Sequence, residues 1–212
     1  MQLQRFSVMV FAGALFAVPA MSLAVPGDAT NSYHMVVKGK VKFFNERVAH
    51  TFEAKGDATI GISAIGDVDG DGAPDVATEI VSMHLTGTTT AGLAINLNSS
   101  RTNRSMGMAE TLTASPRGIN APNLLLRIPV DSFFDVFTEL SIQQSGGAGA
   151  AGYALYSIQK GMRVQGIGTN LTDLSGIYTQ RKSGSVIILD REGNPAGTLT
   201  FLVTNLNSSR SN

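Results

Sequence analysis

Apolar and polar residues alternate with a period of two along most of the chain, between about residues 33 and 203. In HMVVKGKVKFF, Val37, Val41 and Phe43 fall on one face of an extended segment, and three lysines fall on the other. This pattern is typical of a strand with one face in a core and the other in solvent.

Two later segments repeat the alternation. VATEIVSMHLTG places Val81, Met83 and Leu85 on one face, and FFDVFTELSI interleaves Phe134 and Val136 with acidic and aromatic positions. A helix would need apolar residues at three- and four-residue spacing with caps at its ends, and no stretch of about a dozen residues after the first 24 offers that. We therefore expect little or no helix.

Glycine, asparagine, aspartate and proline interrupt the predicted strands at short intervals, as in Lys55-Gly56-Asp57 and Arg191-Glu192-Gly193-Asn194-Pro195. Two segments lack the pattern, SGGAGAAG at 145–152 and the polar stretch 98–123, and both are predicted to be loops. Sequential antiparallel strands joined by short turns predict an all-β fold, an antiparallel β-sandwich with a β-barrel as the alternative. We expect residues 25–212 to form a single domain.

The first 24 residues predict a signal peptide. Arg5 precedes an apolar run from Phe6 to Val18, and the segment ends in Ser22-Leu23-Ala24. The run is broken by Pro19 and is shorter than the roughly 20 residues that span a bilayer. We expect cleavage after Ala24 and a secreted or periplasmic protein.

Composition narrows the classes of function. The chain has no cysteine, so disulfides and thiol catalysis are excluded. Removal of residues 1–24 takes away Arg5 and no acid, which leaves 15 basic and 16 acidic side chains. This balance argues against nucleic acid as a partner. No second long apolar run follows, so no membrane span is expected in the mature chain.

The segment GDVDGDGAPD concentrates negative charge in a chain whose charged fraction is only 15%. Counted from Asp67, carboxylates fall at positions 1, 3, 5 and 9, and Gly72 lies at position 6. This spacing resembles the D-x-D-x-D-G-x-x-D calcium loops of thrombospondin type 3 repeats, dockerins and FG-GAP-type propellers, and the first half of an EF-hand loop.

The chemistry of this loop suits calcium, which takes six to eight oxygen ligands. We expect carboxylates from Asp67, Asp69 and Asp71, the backbone carbonyl of Ala73, and Asp75 directly or through water. An EF-hand would carry glutamate at position 12, where this chain has threonine, so a shorter loop with a structural role is expected. The alternative is an acidic turn without metal.

Other chemical motifs are weak. The three histidines, His34, His50 and His84, lack metal-ligand spacing, and Asp135 and Glu139 share one face of a predicted strand without forming a recognisable catalytic pair. No hydrolase, zinc-protease or phosphate-loop motif occurs. We therefore expect no enzymatic activity.

The sequence favours an exported, calcium-binding β protein with a structural or interaction role at the cell surface or in extracellular matrix, where self-association is one option. A carbohydrate-binding module and an extracellular polysaccharide hydrolase are the alternatives; the absence of tryptophan and the presence of only four tyrosines count against the module. DSFFDVFTEL and DGDGAPDVATEIVSMHLTG are similar to an uncharacterised domain of exported bacterial proteins, which implies no residue roles.

A short repeat is also present. NLNSSRTN at 96–103 recurs as NLNSSRSN at 205–212, each time after a strand-like segment that begins Ala-Gly. Duplication of a half-domain and chance convergence on a polar turn both account for eight matched positions.

Overall fold

The computed structural model describes residues 29–67, 73–112, 128–143, 153–180 and 184–209. Within these ranges all regular secondary structure is β-strand, and helix is absent. The same ranges contain no helix with the length and hydropathy that crossing a bilayer requires. The predicted signal peptide lies outside the described residues.

The described part of the chain forms twelve strands. They are β1 (Ala29–Phe43), β2 (His50–Ile62), β3 (Asp75–Thr89), β4 (Ala94–Ser99), β5 (Ser105–Thr111), β6 (Val130–Val136), β7 (Thr138–Gln143), β8 (Tyr153–Ile158), β9 (Met162–Asn170), β10 (Asp173–Gln180), β11 (Val186–Leu189) and β12 (Pro195–Ser208).

All twelve strands belong to one antiparallel sheet, in the order β1-β2-β3-β4-β7-β8-β11-β12-β10-β9-β6-β5. Additional pairings of β1 with β12 and of β3 with β5 bring the sheet back on itself, so that it curls into a near-closed ring. The predicted all-β, antiparallel class is confirmed, and its strands are joined into one sheet by continuous hydrogen bonding.

Four long strands, β1, β2, β3 and β12, run the length of the ring, and shorter strands complete the wall beside them. For example, β3 pairs with β5 through Asp75–Ile80 and with β4 through His84–Thr88. The shortest strand pairing is that of β8 with β11, which consists of two residue pairs: Ile158 with Ile188, and Ser157 with Leu189. The ring is therefore continuous but unevenly hydrogen-bonded.

The inside of the ring is filled with apolar side chains, as the alternation predicts. The lysines of β1 are exposed, whereas Val37 and Val41 are buried. The largest fully buried side chains are Tyr33, Tyr178, Phe134, Phe201, Met35, Ile60, Leu85, Ile95, Leu97, Leu140, Met162 and Leu171. These residues come from all parts of the ring, so burial of one shared core opposes its opening.

The prediction that Val81 faces the core is wrong, because its side chain is 54% exposed. The register between β2 and β3 shifts between Thr59 and Ile60. Thr59 pairs with Ser82, and Ile60 pairs with Ile80, which leaves Val81 without an opposite residue. This extra residue is a β-bulge, and it moves Val81 to the outer face.

The predicted turn at Lys55-Gly56-Asp57 is also wrong, since β2 continues through it. Gly56 pairs with Leu85 of β3. A Cβ atom at Gly56 would lie 2.0 Å from the backbone oxygen of His84, so glycine permits a close approach of two strands here.

The polar stretch 98–123 is only partly a connection. Ser105–Thr111 forms β5, which pairs with β3 and β6. Residues 113–127 lie outside the described residues, as does the whole of the predicted loop at 145–152. The glycine and polar residues of β5 obscure the alternation of apolar and polar positions that would predict a strand. Its extended conformation is determined by pairing with β3 on one side and β6 on the other.

The leucines of the two NLNSSR copies are both buried. Leu97 in β4 and Leu206 in β12 both point into the core, with exposures of 0% and 3%. Along the ring path β1-β2-β3-β4-β7-β8-β11-β12, these strands are the fourth and the eighth. This path leaves out β5, β6, β9 and β10, so the placement fits both duplication and chance convergence.

Core burial inside the ring can be tested on β12. Leu206→Ala should lower the free energy of unfolding by about 2–5 kcal/mol, because it removes buried methyl groups and leaves a cavity. Leu202→Ala on the same strand is the matched control: Leu202 is 42% exposed, and its truncation should change stability by less than about 0.5 kcal/mol. Urea denaturation measures both, and equal losses would contradict this description of the core.

Candidate metal loop and its surroundings

The aspartate-rich segment connects β2 to β3 at one end of the ring, and an isolated antiparallel bridge closes its base. The Gly66 amide donates to the Asp75 carbonyl, and the Asp75 amide donates to the Gly66 carbonyl, both at 2.9 Å. The first and last predicted ligand residues, Asp67 and Asp75, are therefore held near each other by backbone hydrogen bonds.

Further hydrogen bonds attach the base of the loop to its neighbours. The amide of Ser63 donates to the Ala77 carbonyl at 2.9 Å, and the Ser63 hydroxyl accepts from the Ala77 amide at 2.9 Å. The carbonyl of Pro74 accepts from the Thr111 amide at 3.1 Å. The loop base is thus fixed to both the β2–β3 pair and the end of β5.

The predicted ligand residues have different environments. Asp67 is exposed, whereas Ala73 is 5% and Asp75 is 0% exposed. Asp69 and Asp71 lie outside the described residues. Among the residues that are described, no group of three or more acidic or histidine side chains is placed to hold a metal. The calcium site therefore stays a prediction, and the structure shows the frame from which it would be built.

The residues at the EF-hand terminal positions are used elsewhere. Thr78, at position 12, is fully buried in β3. Glu79, one residue later, forms an ion pair with Arg104, whose Nε and Nη2 atoms each donate to one carboxylate oxygen. Both environments differ from that of the bidentate glutamate that ends an EF-hand loop.

A buried polar network, which sequence reasoning missed, lies at the same end of the ring. Ser132 donates to the Tyr178 hydroxyl at 2.7 Å, and that hydroxyl donates to the Leu174 carbonyl at 2.9 Å. The Leu174 amide donates to the Tyr33 hydroxyl at 3.0 Å. The network ties the β9–β10 turn to β6 and β1. In the sequence, the network is indicated only by tyrosines at positions that the alternating pattern predicts to face inward.

Burial governs the electrostatics of this network. It raises the pKa of Tyr178 well above the ordinary value for tyrosine, and the hydrogen bond from Ser132 opposes this only partly. The phenol therefore stays protonated and neutral, as donation to the Leu174 carbonyl requires.

The histidines occupy three separate places on the surface. His34 lies 3.6 Å from Asp57, the His84 ring lies 2.6 Å from the Asn98 side-chain oxygen, and His50 contacts Glu46. The three contacts involve different partner residues.

The acidic residues considered for catalysis are held in ion pairs. Arg163 binds Asp135 at 2.5 Å and lies 4.1 Å from the centre of the Phe133 ring. Arg101 lies 3.7 Å from Glu139. Both carboxylates lie on the outer face of the sheet, where such pairs contribute little to stability.

Comparison with known proteins gives a likeness in fold. No family model matches the chain, and no curated protein matches its sequence. A solved structure of similar fold is DynF from the dynemicin biosynthesis pathway of Micromonospora chersina: the TM-score is 0.62, the identity is 14%, and the match covers 91% of this chain and 92% of the DynF chain. At this identity the likeness shows the fold alone and transfers no function.

The buried phenol predicts a pH dependence of stability. Because the folded state raises the pKa of Tyr178 above the unfolded value of about 10, its contribution to stability is complete below pH 10 and is lost as pH rises beyond it. The free energy of unfolding should fall by up to about 1.4 kcal/mol per pH unit for this group. Urea denaturation at pH 9 and pH 11 measures this, and Tyr178→Phe should show a shallower decline. Equal slopes for the two proteins would contradict the assignment.

Proposed function

We propose that this protein is an exported, calcium-binding β protein in which the ion organises the loop between β2 and β3, with a structural or interaction role at the cell surface or in extracellular matrix. The observation that supports this most directly is the two-bond bridge between Gly66 and Asp75. It holds the first and last residues of the predicted ligand series close together, as a chelating loop requires.

Charge provides the second argument. Four carboxylates within one nine-residue loop repel one another by about 1 kcal/mol per pair at 4 Å in water. A turn needs only one aspartate or asparagine beside a glycine, so this excess of acid has no purpose in a metal-free turn. A divalent ion removes the repulsion, and alternate residues of a curling loop present their oxygens to a common centre.

The surroundings of the loop favour a structural role. Through Pro74 and Thr111 the loop base is bonded to β5, and β5 itself pairs with both β3 and β6. An ion bound within the loop therefore restrains the end of the ring where these strands meet. The proposed role is non-catalytic, and the ion acts by stabilising the folded state.

Calcium should raise the melting temperature of the protein relative to a chelator. A ligand that binds only the folded state at one hundred times its dissociation constant adds about 2.7 kcal/mol, which corresponds to roughly 5–10 °C for a chain of this length. Differential scanning calorimetry in calcium and in EDTA measures the shift. Isothermal titration with calcium should give saturable heat, and an absence of both effects would refute the proposal.

Asp69→Ala combined with Asp71→Ala should abolish the calcium-dependent part of the melting shift, because it removes two of the proposed carboxylate ligands. The control is Asp57→Ala combined with Glu192→Ala, which removes the same charge from exposed positions elsewhere. That variant should keep the full shift. If both double variants respond to calcium as the unmodified protein does, the ion binds at another place.

A further inference from the structure

A cavity lies at the end of the ring opposite the aspartate loop, where the β1–β2, β3–β4 and β11–β12 turns meet. It has a volume of about 440 Å³, within the range of small-ligand sites. We call it the mouth cavity and define it by Phe43, Phe44, Asn45, Glu46, Gln143 and Tyr156, with apolar contributions from Leu93, Ile142, Pro195 and Ala196.

Aromatic rings form part of its wall. The rings of Phe43 and Tyr156 lie 5.3 Å apart at an angle of 47°. Phe44, the next residue, is 59% exposed, and its amide is bonded to the Ala196 carbonyl at 3.0 Å. The backbone of Phe44 is thus fixed by a hydrogen bond, whereas its side chain is exposed to solvent at the cavity that Phe43 and Tyr156 also line.

Planar polar side chains complete the wall. Asn45, Glu46 and Gln143 line the same cavity. His50 lies 2.8 Å from a Glu46 carboxylate oxygen and fixes its orientation. Burial raises the pKa of Tyr156, and the charges of Asp190 and Glu46 raise it further, so its hydroxyl remains a hydrogen-bond donor at neutral pH.

We propose that the mouth cavity binds a short, neutral saccharide. The aromatic faces would stack on the C–H faces of sugar rings, while the two amides, the carboxylate and the phenol would bond the hydroxyl groups around each ring. This proposal goes beyond the calcium-dependent structural role and does not depend on it.

The composition of the wall argues against other ligand classes. Neither lysine nor arginine lines the cavity among the described residues, so an anionic ligand lacks a partner. A wholly apolar ligand would remove water from Asn45, Glu46 and Gln143 without replacing their hydrogen bonds. An organic cation would suit Glu46 and the rings but leave the two amides unused, and the experiment below includes it.

The mouth cavity is remote from the aspartate loop. The β1–β2 and β2–β3 connections leave opposite ends of β2, whose 13 residues span about 40 Å at the usual rise per residue. Saccharide binding should therefore persist in EDTA, provided that the protein remains folded. The two proposals can fail separately.

The experiment is titration of the intact protein with a panel of neutral oligosaccharides built from glucose, galactose, mannose and xylose and, separately, with spermidine and choline. Calorimetry and tyrosine fluorescence measure binding. Binding of at least one panel member is expected. Phe44→Ala should weaken that binding by about tenfold or more, because it removes the burial of an aromatic ring. Tyr156→Phe should weaken it by about two- to tenfold, because it removes one hydrogen bond. Val81→Ala, at an exposed apolar residue on the outer wall, should leave affinity unchanged.

The outcomes that would overturn the proposal are specific. Absence of binding across the panel rejects a saccharide site, as does binding that Phe44→Ala and Tyr156→Phe leave unchanged. Binding of spermidine or choline without binding of any neutral sugar assigns the cavity to cations instead. Melting curves show whether each variant is folded. If Phe44→Ala is destabilised, Tyr156→Phe still tests the site, because it removes only a hydroxyl and keeps the aromatic ring in place.

Discussion

The pairing of β1 with β12 is the constraint on which the rest of the structure depends. It extends from Tyr33 opposite Ser208 to Phe43 opposite Gly197, with one register shift between Lys38 and Gly39. Because it joins the beginning of the described chain to its end, it converts a row of hairpins into a ring. The near-closed ring pairs most of the backbone groups that an open sheet would leave at its edges, and its inward faces meet in one shared core.

The near-closed wall separates the two proposed sites. The sides of the ring are occupied by paired backbone and by short-range ion pairs such as Arg163 with Asp135. The β1–β2 and β2–β3 connections lie at opposite ends of the ring. One end has the aspartate loop and the Tyr178 network, which fix several strands together, and the other has the mouth cavity. The two proposals thus concern opposite ends of the ring, stabilisation by an ion at one and binding of a ligand at the other.

The sequence predicted the strands best where one face is uniformly apolar. The alternation of valine and lysine in β1 and that of Phe134, Val136 and Leu140 along β6 and β7 gave the correct inward faces. Prediction from the sequence was wrong where pairing with a neighbouring strand determines the conformation or the orientation of a residue. Val81 is turned outward by a bulge that only the β2 register reveals, and Gly56 lies in a strand because β3 approaches it closely. Composition alone carries no information on such partners.

By itself, the sequence determined the all-β class, the inward faces of its most regular strands and the aspartate spacing, because each of these depends on residues within one short segment. The tertiary structure alone decided that the strands form a ring and that Gly66 and Asp75 close the loop base. It also brought Phe44 and Tyr156 to one cavity, although they lie far apart in the chain. The physical reason is that hydrogen bonding between strands and burial in a shared core act between segments whose separation along the chain leaves no local pattern.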